Sequence, residues 1–442
     1  MIYNYLYGSF ANGGRALSDE NMSFAPPGAP EDNSELGQAR RLFDQGLLEQ
    51  CRTKVAKYWL ENTYDQEAVR LFAELVRELG REEIAVKLDN FAKKLDAIAP
   101  YKNHQEIFEA GYALVEICQH ELAAMLLKEL HRELPDDPLV NYELGFSLMS
   151  LKRFKEARKY FAQAANLKDD FDALLNLCVC ETLERNCEGA RRLITEMSSL
   201  ANSDEEKTEL VHRKLVLARL ESLDGKKQLN NRDWLYALYG TILLRPDIKP
   251  QELKDDITQI ASMLVILRGL LAGLSIETEA VEYYSLRSRP ITNALSQLME
   301  VTYDAYRGPH RPDQVMLLMC WTTDILGPHG AFIENSLKRS LFAYSLSPVE
   351  PLPLVPDIIG CLAHDIVMPW EGADQSNKDV SAITEQIYAR ACDLESDPSL
   401  LRETQEAVEY YVGKRRLLVL GNAEAFPNRP EYTAELPNLE QP

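Results

Sequence analysis

Two consecutive stretches, HQEIFEAGYALVEICQHELAAMLLKELHRELPDD from His104 and PLVNYELGFSLMSLKRFKEARKYFAQAANLKDD from Pro138, carry one pattern at an offset of 34 residues. Gly111 and Gly145 hold the same place in each, as do Ala123 and Ala157, and Leu127 and Phe161. A fixed interval of small and large residues demands stacked units, because one pair of helices has an apolar face that it cannot bury alone. Ala and Gly let two helices approach closely; Leu, Phe and Tyr fill the space between successive hairpins.

In the unit from Pro138, Leu144, Gly145, Ala157, Phe161, Ala164 and Leu167 fall where a tetratricopeptide unit places its packing residues. In the unit from His104, Gly111, Leu114, Ala123, Leu127 and Leu130 do the same, with Pro135 at the terminating position. The first half of the chain therefore resembles the tetratricopeptide repeat family. Fainter units begin at Phe171 (Leu174, Leu177, Ala190, Ile194, Met197), at Gln66 (Phe72, Ala73, Val76, Ala85, Ala92) and at Asp32 (Leu42, Leu48, Cys51, Val55, Tyr58). The helix after Asp204 is expected to close the array.

The resemblance implies a concave face built by the first helix of each hairpin. Carried over position by position, that face is Gln105, Phe108, Tyr112 and Val115, then Leu139, Tyr142, Phe146 and Met149, with Glu67, Arg70, Glu74 and Arg77 as a charged wall upstream. Such a lining fits an amphipathic helix or an extended peptide, since aromatic and Met side chains bury much area and adapt to shape. It departs from family members that clamp a terminal carboxylate with Lys and Asn. Two occupants stay open, a protein or peptide partner and the chain's own residues 1–10, MIYNYLYGSF.

After Lys226 the periodicity changes to short β-rich runs alternating with amphipathic helices, the pattern of a mainly parallel, Rossmann-like α/β sheet. Expected strands are WLYALYGTILL, AVEYYSL, EVTYDAY, QVMLLMCW and RRLLVL. DIIGCLAHDIV is a strand or a buried helix. Expected helices are PQELKDDITQIASMLVILRGLLAGL, SRPITNALSQLM, GAFIENSLKRSLFAYSL and the segments 380–392 and 400–411. The expected organisation is an irregular segment over 1–31, helical repeats over 32–225, an α/β domain over 227–421 and a loose acidic, Pro-rich tail over 422–442.

In an open α/β sheet, ligands bind beyond the carboxyl ends of the strands. That rule gathers Ser285, Arg287, Ser288 and Arg289 at a helix start, where backbone N–H groups and two guanidinium groups suit an anion. It also gathers Thr322, Thr323 and Asp324, and His364 with Asp365. Cys361 and His364 have a ligand-like spacing, but no second pair completes a tetrahedral site. His310 and His329 stand in Pro- and Gly-rich turns. The common nucleotide, dinucleotide, zinc-protease and hydrolase signatures are missing, so no cofactor, metal or catalytic residue is expected.

Net charge is -21, which opposes nucleic-acid binding. The eight cysteines form neither a disulfide framework nor a zinc pattern, as expected of a cytoplasmic protein with reduced thiols. The apolar run Ile260–Ile276 is short for a membrane span and contains Arg268. The leading expectation is a nonenzymatic adaptor or scaffold that binds a peptide or helix. The alternatives are a second half that is an enzyme or a nucleotide- or phosphate-binding module with the repeats recruiting its substrate, and a secretion chaperone.

Overall fold

The structure, a computed structural model, describes residues 34–95, 103–167, 170–246, 252–254, 256–308, 314–321, 339–363, 365–371, 377–420, 429–433 and 436. Residues 1–31, with the segment 1–10, lie outside the described residues, as do Thr322, Thr323, Asp324, His310, His329 and His364. The chain divides into two compact units, Met1–Glu206 and Lys207–Pro442.

The first unit is a row of helical hairpins: α1 (Glu35–Asp44) with α2 (Leu48–Glu61), α3 (Gln66–Glu78) with α4 (Glu82–Leu95), α5 (His104–Glu116) with α6 (His120–Glu133), α7 (Pro138–Ser150) with α8 (Phe154–Leu167), and α9 (Phe171–Leu183) with α10 (Cys187–Leu200). A Cβ on Gly111 would lie 3.0 Å from the Leu127 side chain, and one on Gly145 would lie 3.0 Å from the Phe161 ring. Glycine is what lets α5 touch α6, and α7 touch α8, so closely. Asp65, Asp137 and Asp170 cap α3, α7 and α9 by accepting bonds from first-turn N–H groups, including Leu139 and Val140 on Asp137 at 2.9 and 3.0 Å.

Each first helix ends in the same turn. The residue just past the cap has a left-handed φ at Gly46, Gly80, Cys118, Lys152 and Arg185. The next N–H reaches back to the helix, as Arg153 does to Leu148 O at 2.9 Å and Gln119 to Leu114 O at 2.8 Å. With the bond from the left-handed residue itself, Lys152 N to Met149 O at 2.8 Å and Cys118 N to Val115 O at 2.9 Å, each turn closes a Schellman motif. First helices also touch one another, α1 with α3, α5 with α7 and α7 with α9.

α11 (Asp204–Glu221) does not close the array as a whole, because the division falls at Glu206 and Lys207. Its Arg219 is buried and donates to Leu417 O at 2.8 Å. Gly240 packs so tightly on that guanidinium that a Cβ would lie 2.5 Å from Nη2. Burial lowers the arginine's pKa to about 10.

The second unit contains a six-stranded sheet in which every neighbouring pair is parallel. Its strands are β1 (Ile242–Leu243), β3 (Ala280–Tyr283), β4 (Thr302–Ala305), β5 (Val315–Trp321), β6 (Ser340–Leu346) and β7 (Ile358–Leu362), in the order β1-β7-β6-β5-β3-β4. β2 (Glu252–Lys254) pairs with β8 (Asp365–Val367) in a separate parallel ribbon. Phe342 stands opposite Ile358 and Ala280 opposite Val315. Continuous apolar runs such as VMLLM suit strands covered on both faces.

Three expected elements differ. WLYALY is helix α12 (Asn231–Tyr239), fixed by a capping box between Asn230 and Asp233 and stopped by Gly240 in the left-handed region; only Ile242 and Leu243 are strand. SLFAYSL is strand β6, because its apolar residues lie between β5 and β7, where a helix would leave both neighbours unpaired. RRLLVL is not the last strand: Arg415–Leu417 is a 3-10 turn, and Val419 N–H bonds Gly240 O at 3.0 Å. The segment expected as a loose tail is built in where it is described. Arg429 pairs with Asp357 at 3.0 and 2.9 Å, both buried, and Tyr432 bridges Leu352.

The most apolar helix, α13 (Ile257–Gly273), packs against α15 (Asn377–Leu394) and α16 (Pro398–Val412). Among the described residues no helix is long and apolar enough to cross a membrane. α13 meets α16 through Gly269 on Thr404 and Gly273 on Val408, where any Cβ would collide. Gly269→Ala is therefore expected to destabilise the second unit by about 1–3 kcal/mol. Thr404→Ser removes the colliding methyl but keeps the hydroxyl that bonds Leu400 O at 2.8 Å. In a double-mutant cycle followed by urea unfolding, the serine should restore most of the loss; independent, additive effects would refute the contact.

Candidate functional site

The side chains named for the concave face divide by burial. Leu139 is 60% exposed and Tyr112 is 40% exposed, whereas Phe108 and Tyr142 are half-buried. Val115, Phe146 and Met149 are buried in the packing of the unit itself. Those three are therefore not exposed to a partner as the resemblance implies; Phe146, for instance, meets the His120 ring of the preceding hairpin edge-on at 6.1 Å.

On α5, Phe108 and Tyr112 stack one turn apart with ring centroids at 6.4 Å. Lys87 from α4 lies 5.5 Å from the Tyr112 ring centre and pairs with Glu116 at 3.0 Å. On α7, the Tyr142 ring stands edge-on to Phe161 at 5.7 Å, and its hydroxyl accepts from Asn176 Nδ2 at 3.0 Å. Burial raises the Tyr142 phenol pKa, and the Asp172 and Glu143 carboxylates add to the rise.

Glu143 was not among the expected face residues. It is the one charged side chain in α7, PLVNYELGFSLMS, and it follows Leu139 by one helical turn. Burial raises its pKa to about 7, with repulsion from Glu116 adding to the shift. No hydrogen bond or ion pair is found for its carboxylate among the described residues. The sequence signal that could have found it is a lone acid inside an otherwise uncharged helix.

The upstream wall is paired internally. Arg77 binds Glu82 at 3.1 Å and Asp89 at 2.6 Å, and Glu74 binds Arg40. Glu67 and Arg70 are exposed. Gln105 donates to Glu109 at 2.9 Å.

In the second unit, Ser285, Arg287, Ser288 and Arg289 do come together between β3 and α14 (Arg289–Met299), but their polar atoms are engaged. Arg287 Nε pairs with Glu371 at 2.5 Å and Nη2 donates to Ile366 O at 2.6 Å. Ser288 is buried; its Oγ accepts from Cys320 N at 3.1 Å and lies 3.4 Å from Ser285 Oγ. Arg289 stands over the Tyr283 ring at 5.9 Å. Arg287 is thus a structural tie rather than an open anion receptor. Cys361 is buried with its thiol toward Tyr344 O at 3.7 Å. Among the described residues no group of three or more His, Cys, Asp or Glu is placed to hold a metal ion.

No family model matches the chain. Among curated proteins, it is 26% identical over 167 residues to tetratricopeptide repeat protein 21B of Mus musculus, covering 36% of this chain and 13% of that protein. The first unit is tetratricopeptide-like. The Homo sapiens protein of the same name is 25% identical over 179 residues, covering 39% of this chain and 14% of its own length, so the chain spans about one seventh of the curated relatives it matches. Two solved structures are similar at 17% identity. A MamA RS-1 double mutant has a TM-score of 0.25, with 43% of this chain and 96% of that one covered. Pseudomonas aeruginosa pilF has a TM-score of 0.28, with 42% and 83% covered.

The Glu143 carboxyl makes the tetratricopeptide-like unit sensitive to pH. Its folded pKa, about 7, lies above the ordinary 4.5, so the folded chain holds a proton that the unfolded chain has lost. Stability from this group is complete below pH 4.5 and falls as pH rises to about 7, by an amount on the order of 3 kcal/mol. Glu143→Gln should abolish that fall, so the unfolding midpoint of the variant should exceed wild type at about pH 8 and match it near pH 4. Parallel midpoints across this range would show that the carboxyl is not shifted.

Proposed function

We propose that the tetratricopeptide-like unit is a docking scaffold that holds a segment of another protein along Phe108, Tyr112, Leu139 and Tyr142. The carrying observation is the exposure of Leu139 and Tyr112 beside two half-buried aromatic residues. An exposed apolar strip of this sort marks an interaction site, and flat aromatic rings offer large contact area at small entropic cost. The repeat-protein relatives support protein binding as the class of activity. The roles of adaptor and of secretion chaperone use the same strip and differ only in what is bound.

A photo-crosslinking side chain placed at Leu139 should capture a partner protein under conditions in which the same group at Leu167 does not. Leu167 is also exposed, at 46%, but is not among the strip residues. Equal capture at the two positions would sink the docking reading.

A second reading concerns the second unit. Within its sheet the run β4-β3-β5-β6-β7 reverses direction at β3, as in doubly wound nucleotide-binding sheets, which take ligands at that reversal. Ser285, Arg287, Ser288 and Arg289 follow β3 there, and an anion would have to displace Glu371 from Arg287. Millimolar phosphate, nucleotides or sugar phosphates should raise the melting temperature of the full chain by several degrees if this reading holds. No shift with any of them would remove it.

A further inference from the structure

We infer that the segment docked on the tetratricopeptide-like unit is basic, and that its Lys or Arg is received by Glu143; the inference rests on the docking reading above. Two acceptors on this face lack donors. One is the Glu143 carboxylate. The other is Asn176 Oδ1, on a side chain only 4% exposed, whose amide nitrogen is already given to the Tyr142 hydroxyl. Both call for N–H groups, and a guanidinium or ammonium supplies several.

The cations of the neighbourhood do not meet that need. From α4, Lys87 is held by Glu116 of α5 and by the Tyr112 ring. From α6, His120 is half-buried and desolvation lowers its pKa to about 4, so it stays uncharged. From α9 comes another acid, Asp172, whose pKa is raised by burial and by Asp170. From α5 come the Glu116 carboxylate and the Tyr112 phenol, from α7 itself the Tyr142 phenol, and from α8 Arg158, which pairs with Glu181 at 3.3 Å. Negative charge therefore exceeds positive charge on this face. The methylene stem of Lys or Arg can lie along Tyr112 and Leu139 while its head reaches Glu143.

Binding would also stabilise the ionised carboxylate, so affinity should fall as Glu143 takes up a proton below about pH 7. This gives the contact two independent signatures, the charge of the bound residue and the pH at which it is lost.

The test is an array of short synthetic peptides with varied leucine and tyrosine flanks and a central Lys, Arg, Gln or Glu, probed with the full chain. Wild type at about pH 8 should retain the Lys and Arg members at least about tenfold better than their Gln and Glu counterparts. That preference should collapse at about pH 5.5 and in Glu143→Gln, whose raised melting point at pH 8 shows that it is folded. Peptides retained equally whatever the central residue, or a basic preference that survives Glu143→Gln, would overturn the inference and leave the docking strip standing. Retention of no peptide above a Tyr112→Ala, Leu139→Ala variant would remove the docking strip itself.

Discussion

The contact of a glycine with a large side chain inside each central hairpin is what the face of the first unit depends on. Gly111 on Leu127 and Gly145 on Phe161 draw the two helices of a hairpin together, and this sets how far each first helix stands from the next. A methyl group at either position would push Leu127 or Phe161 outward by a few tenths of an ångström. Phe161 also supports the Tyr142 ring, so the displacement would pass directly into the exposed strip. Packing and presentation are therefore one problem here, solved by the same residue.

Glu143 and Arg287 show what decides whether a charged side chain is open for function. By residue type and position, Arg287 looked the better candidate: a guanidinium near a helix start, beyond a strand. Its geometry gives both ends of the guanidinium to the protein's own Glu371 and Ile366. Glu143 is half-buried, and no counter-charge is found for it among the described residues. A carboxylate partly withdrawn from water without a counter-charge is costlier than a paired one, and its raised pKa records that cost.

The repeat was legible because its signal is a spacing, and spacing survives in a linear string. All five hairpins were placed to within a few residues from Gly, Ala and large apolar residues alone. The turns between the helices were not, since only Gly46 and Gly80 announce a left-handed residue while Cys118, Lys152 and Arg185 adopt it without a glycine. There the Schellman bonds outweigh a strain of about 1–2 kcal/mol, and nothing in the identity of the residue records that. Buried and exposed members of the face could not be separated either, because Phe146 and Tyr142 sit on one helix and only the packing of the neighbouring hairpins decides which is covered. In the second unit the parallel strands AVEYYSL, EVTYDAY and QVMLLMCW were readable. WLYALY and SLFAYSL exchanged their types, since short apolar runs look alike until caps and neighbouring strands are known.

The Arg219 contact to Leu417 joins residues 198 apart in sequence. In the hairpin unit, by contrast, a residue such as Gly145 finds Phe161 one helix later. The two halves should therefore mature on different clocks during synthesis. Hairpins can lock as they emerge, one after another, because each needs only its immediate neighbours. α11 must wait with a buried-to-be guanidinium still in water until Leu417 has left the ribosome. For that interval the nascent protein is a formed row of hairpins followed by an unfinished sheet.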